Sequence, residues 1–220
     1  MKNLLVLCFL AAMLFLNSCS KPSSANDSTL DGSTDITLNK PGNTFSTTIS
    51  ANGQSTNGTA SASITKNESG VATVHVVANI KNVAALSFIK NLIPTKYLDA
   101  QGNVLLDGKV KVTDEGILDY TNADGTPFVM VRYDDKVGDT YKLTKADGKV
   151  ITRTVTQKST TDDFSYGLMM IKTMTVEQDS RIPGISKIIY KFNHKFGIVY
   201  IEAIAQDGTK AGIKIFAKNY

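Results

Sequence analysis

Ser-x-x-Lys occurs three times in this chain, at Ser18–Lys21, Ser63–Lys66 and Ser87–Lys90. On a helix that spacing sets an amine beside a serine hydroxyl and can make it a nucleophile. Ser63 and Lys66 fall in an expected strand, where positions three apart face opposite sides. Ser87 and Lys90 fall in an expected helix, where they meet. No Ser-Asp-Asn or Lys-Thr-Gly motif accompanies them. With 17 serines and 21 lysines among 220 residues, one or two such spacings arise by chance. The pair reads as the solvated face of an amphipathic helix, so no catalytic residue is assigned and the chain is not expected to be an enzyme.

The two histidines are the next candidates. His75 alternates with Thr73 and Val77 and reads as a half-exposed strand residue. His194 follows Asn193 and precedes Lys195-Phe196-Gly197, between two expected strands. Asn-His before Gly suits a turn with unusual backbone angles. His194, Asn193 and Arg153, the last one of only three arginines, are the candidate contacts to a ligand or partner. Zinc needs three or four ligands, which two histidines could reach only with carboxylates. Asp134-Asp135 and Asp162-Asp163 read as loop charge. Asp99 to Asn103 spaces oxygens like a calcium loop, but Val104 stands where the sixth-position glycine belongs. No metal site and no cofactor are expected.

The cysteines do different work. Lys2 precedes an unbroken apolar run from Leu4 to Leu16. Thirteen helical residues span about 20 Å, short of a bilayer core of about 30 Å, so a secretory signal fits better than a membrane span. The run ends in Leu16-Asn17-Ser18-Cys19, which resembles the bacterial lipobox. The resemblance implies cleavage before Cys19, a lipid on its thiol and a membrane partner reached through that lipid. Several acyl chains on one residue hold a protein stably where one does not. Ser20 in place of Asp implies the outer membrane. The absence of acidic residues in Ser20-Lys21-Pro22-Ser23-Ser24 implies the periplasmic face.

Cys8 would leave with the signal and Cys19 would be acylated, which excludes thiol chemistry and disulfides in the mature chain. Without Lys2, 23 basic residues stand against 20 acidic ones, a formal charge of +3. The lysines are scattered, with no basic stripe, so no nucleic-acid partner is expected.

Residues 1–18 read as the signal and 19–35, rich in Ser, Thr, Asp and Gly, as a flexible tether. Residues 36–220 read as a mainly-β domain, with a further split allowed near 82–103. Phe45, Thr47 and Ile49 alternate, as do Ala60, Ala62 and Ile64, and Val74, Val76, Ala78 and Ile80. Turns rich in Asn and Gly separate them, the pattern of an antiparallel meander. The first two strands are Ser/Thr-rich and weakly apolar, which suggests an edge or one-sided packing. Residues 83–93 place Leu86, Ile89 and Ile93 on one stripe and form the expected amphipathic helix. Hairpins follow at Tyr141–Val155, turning at Ala146-Asp147-Gly148, and at Ile198–Ala217, turning at Gln206-Asp207-Gly208. Residues 167–177 and 185–192 supply further strands. The fold class is mainly β: an antiparallel sandwich or partly open barrel with one helix.

VGDTYKLTKADGKVITRTVTQ, DDFSYGLMMIKTMTVEQ and KFNHKFGIVYIEAIAQDGT resemble a family of Gram-negative lipoproteins without assigned activity. The resemblance covers about residues 137–209 and implies an all-β lipoprotein domain. Three functions compete. The first is a membrane-anchored, non-enzymatic binding or assembly module. The second is a carrier of lipid or another apolar ligand, with Met169, Met170, Met174, Phe192 and Phe196 lining a concave sheet. The third, a hydrolase, rests only on Ser87, Lys90 and scattered acids.

Overall fold

The computed structural model describes residues 28–80, 83, 93, 95–121, 125–180 and 182–218. The signal segment, Cys19 and all of the expected 83–93 helix except Val83 and Ile93 lie outside them.

The period-two segments become strands. β1 (Thr44–Ala51) turns through Asn52-Gly53 into the short β2 (Gln54–Ser55). β3 (Thr59–Glu68) turns through Ser69-Gly70 into β4 (Val71–Asn79). Both turns hold two consecutive residues at positive φ: Asn52 at 49° with Gly53 at 80°, and Ser69 at 52° with Gly70 at 84°. Two-residue turns of that kind match the right-handed twist of the flanking strands, which is why Asn-Gly and Ser-Gly serve there.

β5 (Val104–Val112), β6 (Gly116–Asp119) and β7 (Phe128–Arg132) extend the meander. β8 (Thr140–Thr144) and β9 (Val150–Lys158) form the first expected hairpin, with Leu143 opposite Ile151. β10 (Phe164–Tyr166) and β11 (Met169–Ile171) pair only with each other. β12 (Met174–Asp179), β13 (Ile185–Asn193), β14 (Gly197–Ala205) and β15 (Lys210–Ala217) complete the chain. The last two form the second expected hairpin.

One antiparallel sheet carries all but the β10–β11 ribbon, in the order β7-β6-β5-β4-β3-β1-β15-β14-β13-β12-β9-β8, with β2 on β1. β4 and β5, on either side of residues 82–103, are directly paired from Val71–Lys111 to Ala78–Val104. β1 pairs with β15 from Phe45–Ala217 to Ala51–Ala211. That pairing places β1 in the middle of the sheet, so the expectation of an edge at the first strands is overturned. Weak apolarity at β1 and β3 has another cause, given below.

The sheet rolls into a nearly closed barrel whose free edges, β7 and β8, come together. Register shifts at Ile64/Lys66, Ile117/Leu118, Thr175/Val176 and Lys191/Phe192 supply the bends that rolling needs. Side chains close the seam where no β7–β8 ladder is formed. The Arg132 N–H donates to Tyr141 Oη at 3.0 Å, and Arg153 Nη1 donates to the Phe128 and Val129 carbonyls at 3.2 and 3.0 Å. An unpaired strand edge is thereby satisfied from within the chain.

The main core lies at this seam. β7 buries Phe128, Val129, Met130 and Val131 in succession, so both its faces are covered. Leu30 and Leu38, from the segment leading into β1, join the same cluster. Residues 29–35, assigned from composition to the end of the tether, pack on the barrel. Ser33 N–H donates to Asp114 at 2.7 Å, Lys111 Nζ to the Leu30 carbonyl at 3.0 Å and Arg132 to the Thr29 carbonyl at 3.3 Å. Leu30 is the one large apolar side chain in that stretch, and it is buried.

Candidate functional site

The strands around β1 point a different surface inward. Directly opposed residues of antiparallel neighbours share a face. Phe45 opposes Ala62, Ala62 opposes Val76, and Val74 opposes Gly108. Ile201 opposes Ile213, two residues from Ile215 on the same face of β15. The inner face of β14, β15, β1, β3, β4 and β5 is therefore mostly apolar around the cavity, and at Ala62, Ala72 and Gly108 the side chains are small or absent. Short side chains on three adjacent strands leave room. A cavity of about 240 Å³ results, lined among others by Phe45, Ile64, Val74, Val110, Ile201 and Ile215.

Both ends of these strands carry apolar clusters. At one end, Ile49, Ala51, Ile80, Val83 and Ala211 are buried together, with Ala60, Ile93 and Val104 against them. At the other, Leu38 and Phe196 line the cavity. Gly197, at φ 70°, lets the β13–β14 turn pass close beneath Leu38, since a Cβ there would sit 3.3 Å from Leu38 Cδ1.

Among the described residues, no charged side chain lines the cavity, and its one side-chain amide is Asn39. Asn39 is 1% exposed. It belongs to a short 3-10 turn, Thr37–Asn39, and is fixed from several sides. Its Nδ2 donates to the Thr34 carbonyl at 2.9 Å and to the Val112 carbonyl at 2.8 Å. Its backbone carbonyl accepts from Asn67 Nδ2 at 3.0 Å. Two carbonyls demand two donors, so the amide orientation is set by chemistry. Oδ1 is buried without a hydrogen-bond partner among the described residues.

The residues picked out from sequence lie elsewhere. Arg153 is 3% exposed and crosses the seam. Besides the two β7 carbonyls, it donates to Asp119 Oδ2 at 2.9 Å and to Gln178 Oε1 at 2.7 Å, and its guanidinium lies 4.1 Å from the Phe128 ring centre. Asn193 is buried in the β13–β14 turn. Its Oδ1 accepts from the Lys195 and Phe196 N–H groups, and its Nδ2 donates to the Lys172 carbonyl. His194 is exposed at the tip of that turn. The structure thus brings Asn193 and His194 together and leaves Arg153 with separate partners. His75 faces outward and pairs with Asp107 at 2.8 Å. The Asp99 carboxylate is taken up by the Gln101 and Asn103 N–H groups and the Asn103 amide, which hold its pKa below the usual carboxylate value.

Of the five residues expected to line an apolar concavity, Phe196 does so. Met174 and Phe192 belong to the packed seam core, and Met169 and Met170 are half-exposed on the β10–β11 ribbon. The signal that marks the real cavity is the small residue on each of three neighbouring strands: Ala62, Ala72 and Gly108.

Fold and cavity define a class, a rolled antiparallel sheet with an apolar interior. No family model and no curated protein matches the chain. Among solved structures, a candidate exported protein of YmcC-like fold from Bacteroides fragilis is 10% identical at a TM-score of 0.45, over 82% of this chain and 97% of that one. A candidate lipoprotein from Parabacteroides distasonis is 10% identical at a TM-score of 0.39, over 82% and 96%. Likenesses of that degree carry no functional inference.

Proposed function

We propose that the chain is a lipid-anchored cell-envelope protein, held at the outer membrane through Cys19 and facing the periplasm, whose barrel binds an apolar molecule without transforming it. The observation that carries the binding role is the charge-free apolar cavity beneath β1, β3, β4 and β5. Apolar pockets with few convergent polar groups are the usual form of small-molecule sites. Among the described residues, the lining is Asn39 and apolar side chains, which favours binding over catalysis. The anchor rests on residues 1–19 of the sequence.

The first expected function, a module that docks another protein, is favoured by one different feature. Leu168 is fully exposed at the tip of the β10–β11 ribbon, beside half-exposed Met169 and Met170. Consecutive exposed apolar residues of this size suit a partner surface.

Two measurements test the main reading. Cells fed labelled palmitate should label the wild-type protein and not a Cys19→Ser variant; an unlabelled wild type removes the anchor. Native mass spectrometry of the mature chain, residues 19–220, should retain an apolar molecule or take up added N-phenyl-1-naphthylamine with a rise in fluorescence. A chain that does neither is not a carrier.

A further inference from the structure

We infer that the outer wall of the barrel carries a second binding site, for a pyranose sugar bearing a carboxylate. It lies in a cleft of about 470 Å³ between the β10–β11 ribbon and the outer faces of β1, β14 and β15. The cleft shares no lining residue with the apolar cavity, so the two sites stand or fall separately.

Strand register builds the floor of the cleft. Thr48 opposes Lys214 and Lys214 opposes Tyr200, one row across three strands. Ser55 opposes Ser50, Ser50 opposes Gly212 and Gly212 opposes Glu202, the next row on the same face. Hydroxyls therefore gather at the β1–β2 side, an aromatic ring stands at the β14 side and the lysine lies between them. Gly212 lets Tyr200 lie down on the wall. A Cβ at that position would collide with Tyr200 Oη and would sit 2.9 Å from its Cζ and 2.7 Å from Ser50 Oγ. From the ribbon, Phe164 meets Tyr200 with ring centres 6.2 Å apart and planes at 51°, so the two half-exposed rings form a corner.

Lys214 is the one charged residue lining the cleft among the described residues. Its Nζ lies 5.3 Å from the Phe164 ring centre and donates to the Ser165 carbonyl at a long 3.4 Å, in an exposed position. An ammonium carries three donors, so most of its capacity is left for a ligand. Glu202, at the end of its row, is engaged by the Tyr200 hydroxyl at 2.8 Å and does not line the cleft. An aromatic carboxylate would use the rings and the ammonium but not the hydroxyls of Thr48, Ser50 and Ser55. A neutral sugar would use the rings and hydroxyls but not the charge. A uronic acid uses all three: its C–H face packs on the electron-rich face of a ring, its hydroxyls meet Ser and Thr, and its carboxylate meets Lys214.

Backbone amide ¹H–¹⁵N spectra of the unlipidated mature chain, residues 19–220, titrated with methyl glucuronide, methyl glucoside and phenylacetate, test this. Methyl glucuronide should shift the amides of Thr48, Ser50, Tyr200 and Lys214. It should bind about fivefold more tightly than methyl glucoside at low ionic strength, the yield of one half-exposed ion pair. Added salt should close that gap. Lys214→Met should bring the glucuronide down to the level of the glucoside, and Tyr200→Ala should abolish binding of both. A glucuronide that shifts none of these amides overturns the inference. So does equal affinity for glucuronide and glucoside at low salt, which leaves Lys214 no part, or phenylacetate binding as tightly as the glucuronide, which leaves the hydroxyls none. If Tyr200→Ala misfolds, the three-ligand series on the unaltered chain and Lys214→Met, a change at a half-exposed side chain, decide the matter.

Discussion

β7 buries four consecutive side chains, Phe128 to Val131, whereas β3, four strands along the same sheet, fully buries only Ile64. One region of the barrel is filled and the other is hollow. The filled region holds the seam, where Arg153, Tyr141 and the apolar cluster around Val155, Val176 and Phe192 replace a missing ladder. The hollow region needs no such devices, because β5, β4, β3, β1, β15 and β14 are each hydrogen-bonded to the next. Backbone hydrogen bonds hold the wall there, so side chains are free to be small. Stability and binding are thus carried by different strands of one sheet, and mutations should separate them.

The largest separation is expected at Arg153. Its guanidinium is nearly inaccessible and serves Asp119, Gln178 and two β7 carbonyls. Arg153→Ala leaves the Asp119 carboxylate and both carbonyls without that partner. Removing one side of a buried ion pair costs about 3–5 kcal/mol. Urea unfolding should show a loss in that range, with binding of N-phenyl-1-naphthylamine retained by whatever fraction stays folded. A loss under about 1 kcal/mol would mean that the seam is held by something other than Arg153.

One substitution made in both regions sharpens the contrast. Val155 is fully buried among close neighbours, so Val155→Phe overpacks the seam and should cost about 1–3 kcal/mol. Val74 lines the cavity, where a phenyl ring has room. Val74→Phe should stay within about 0.5 kcal/mol of wild type or stabilise it. It should also cut probe binding at least tenfold, because it occupies the guest's volume. Equal costs at the two positions would show that the hollow region is as tightly packed as the seam.

The strands themselves were legible. Alternation at Phe45–Ile49, Ala60–Ile64 and Val74–Ile80 and the Asp-Gly turns located β1, β3, β4 and the two C-terminal hairpins, because period two and turn chemistry are local signals. Sheet order was not, since the β1–β15 pairing joins residues at least 160 positions apart. The same non-local fact explains the error at β1 and β3. Their Ser, Thr and Ala content looked too weak for a core and suggested an edge or one-sided packing. They are central strands, and β3 faces the cavity with the small side chain of Ala62. Met169 and Met170 misled in the opposite sense: they are apolar, but they sit on a ribbon outside the main sheet. Arg153 was singled out from sequence as a contact residue, and the partners it finds in the structure lie within the chain. Asn39 carried no sequence signal, because what distinguishes it is an unmet hydrogen bond.

The smallest expected effect concerns tyrosine ionisation, which reads the two regions separately. In the seam, Tyr133 and Tyr190 are raised above the ordinary phenol value by burial, and Tyr141 by burial and by the hydrogen bond it donates to Asp135 Oδ2 at 2.6 Å. On the outer wall of the hollow region, Tyr200 donates to Glu202 at 2.8 Å and is pushed up to about 12, by burial first and Glu202 second. All four shifts have one sign. The unfolded chain loses these protons near pH 10, ahead of the folded one. The stability they contribute is complete below about pH 10 and is lost as the pH rises through the folded values. Tyrosinate absorbance at 295 nm should therefore show Tyr200 ionising in the folded protein near pH 12. The seam tyrosines should ionise only as circular dichroism reports unfolding. Tyr200→Phe should delete the first step, leave the second, and change stability at pH 7 by less than about 1 kcal/mol. Ionisation of Tyr141 in a chain with intact circular dichroism would show an open seam, and the division of labour between the two regions would fail with it.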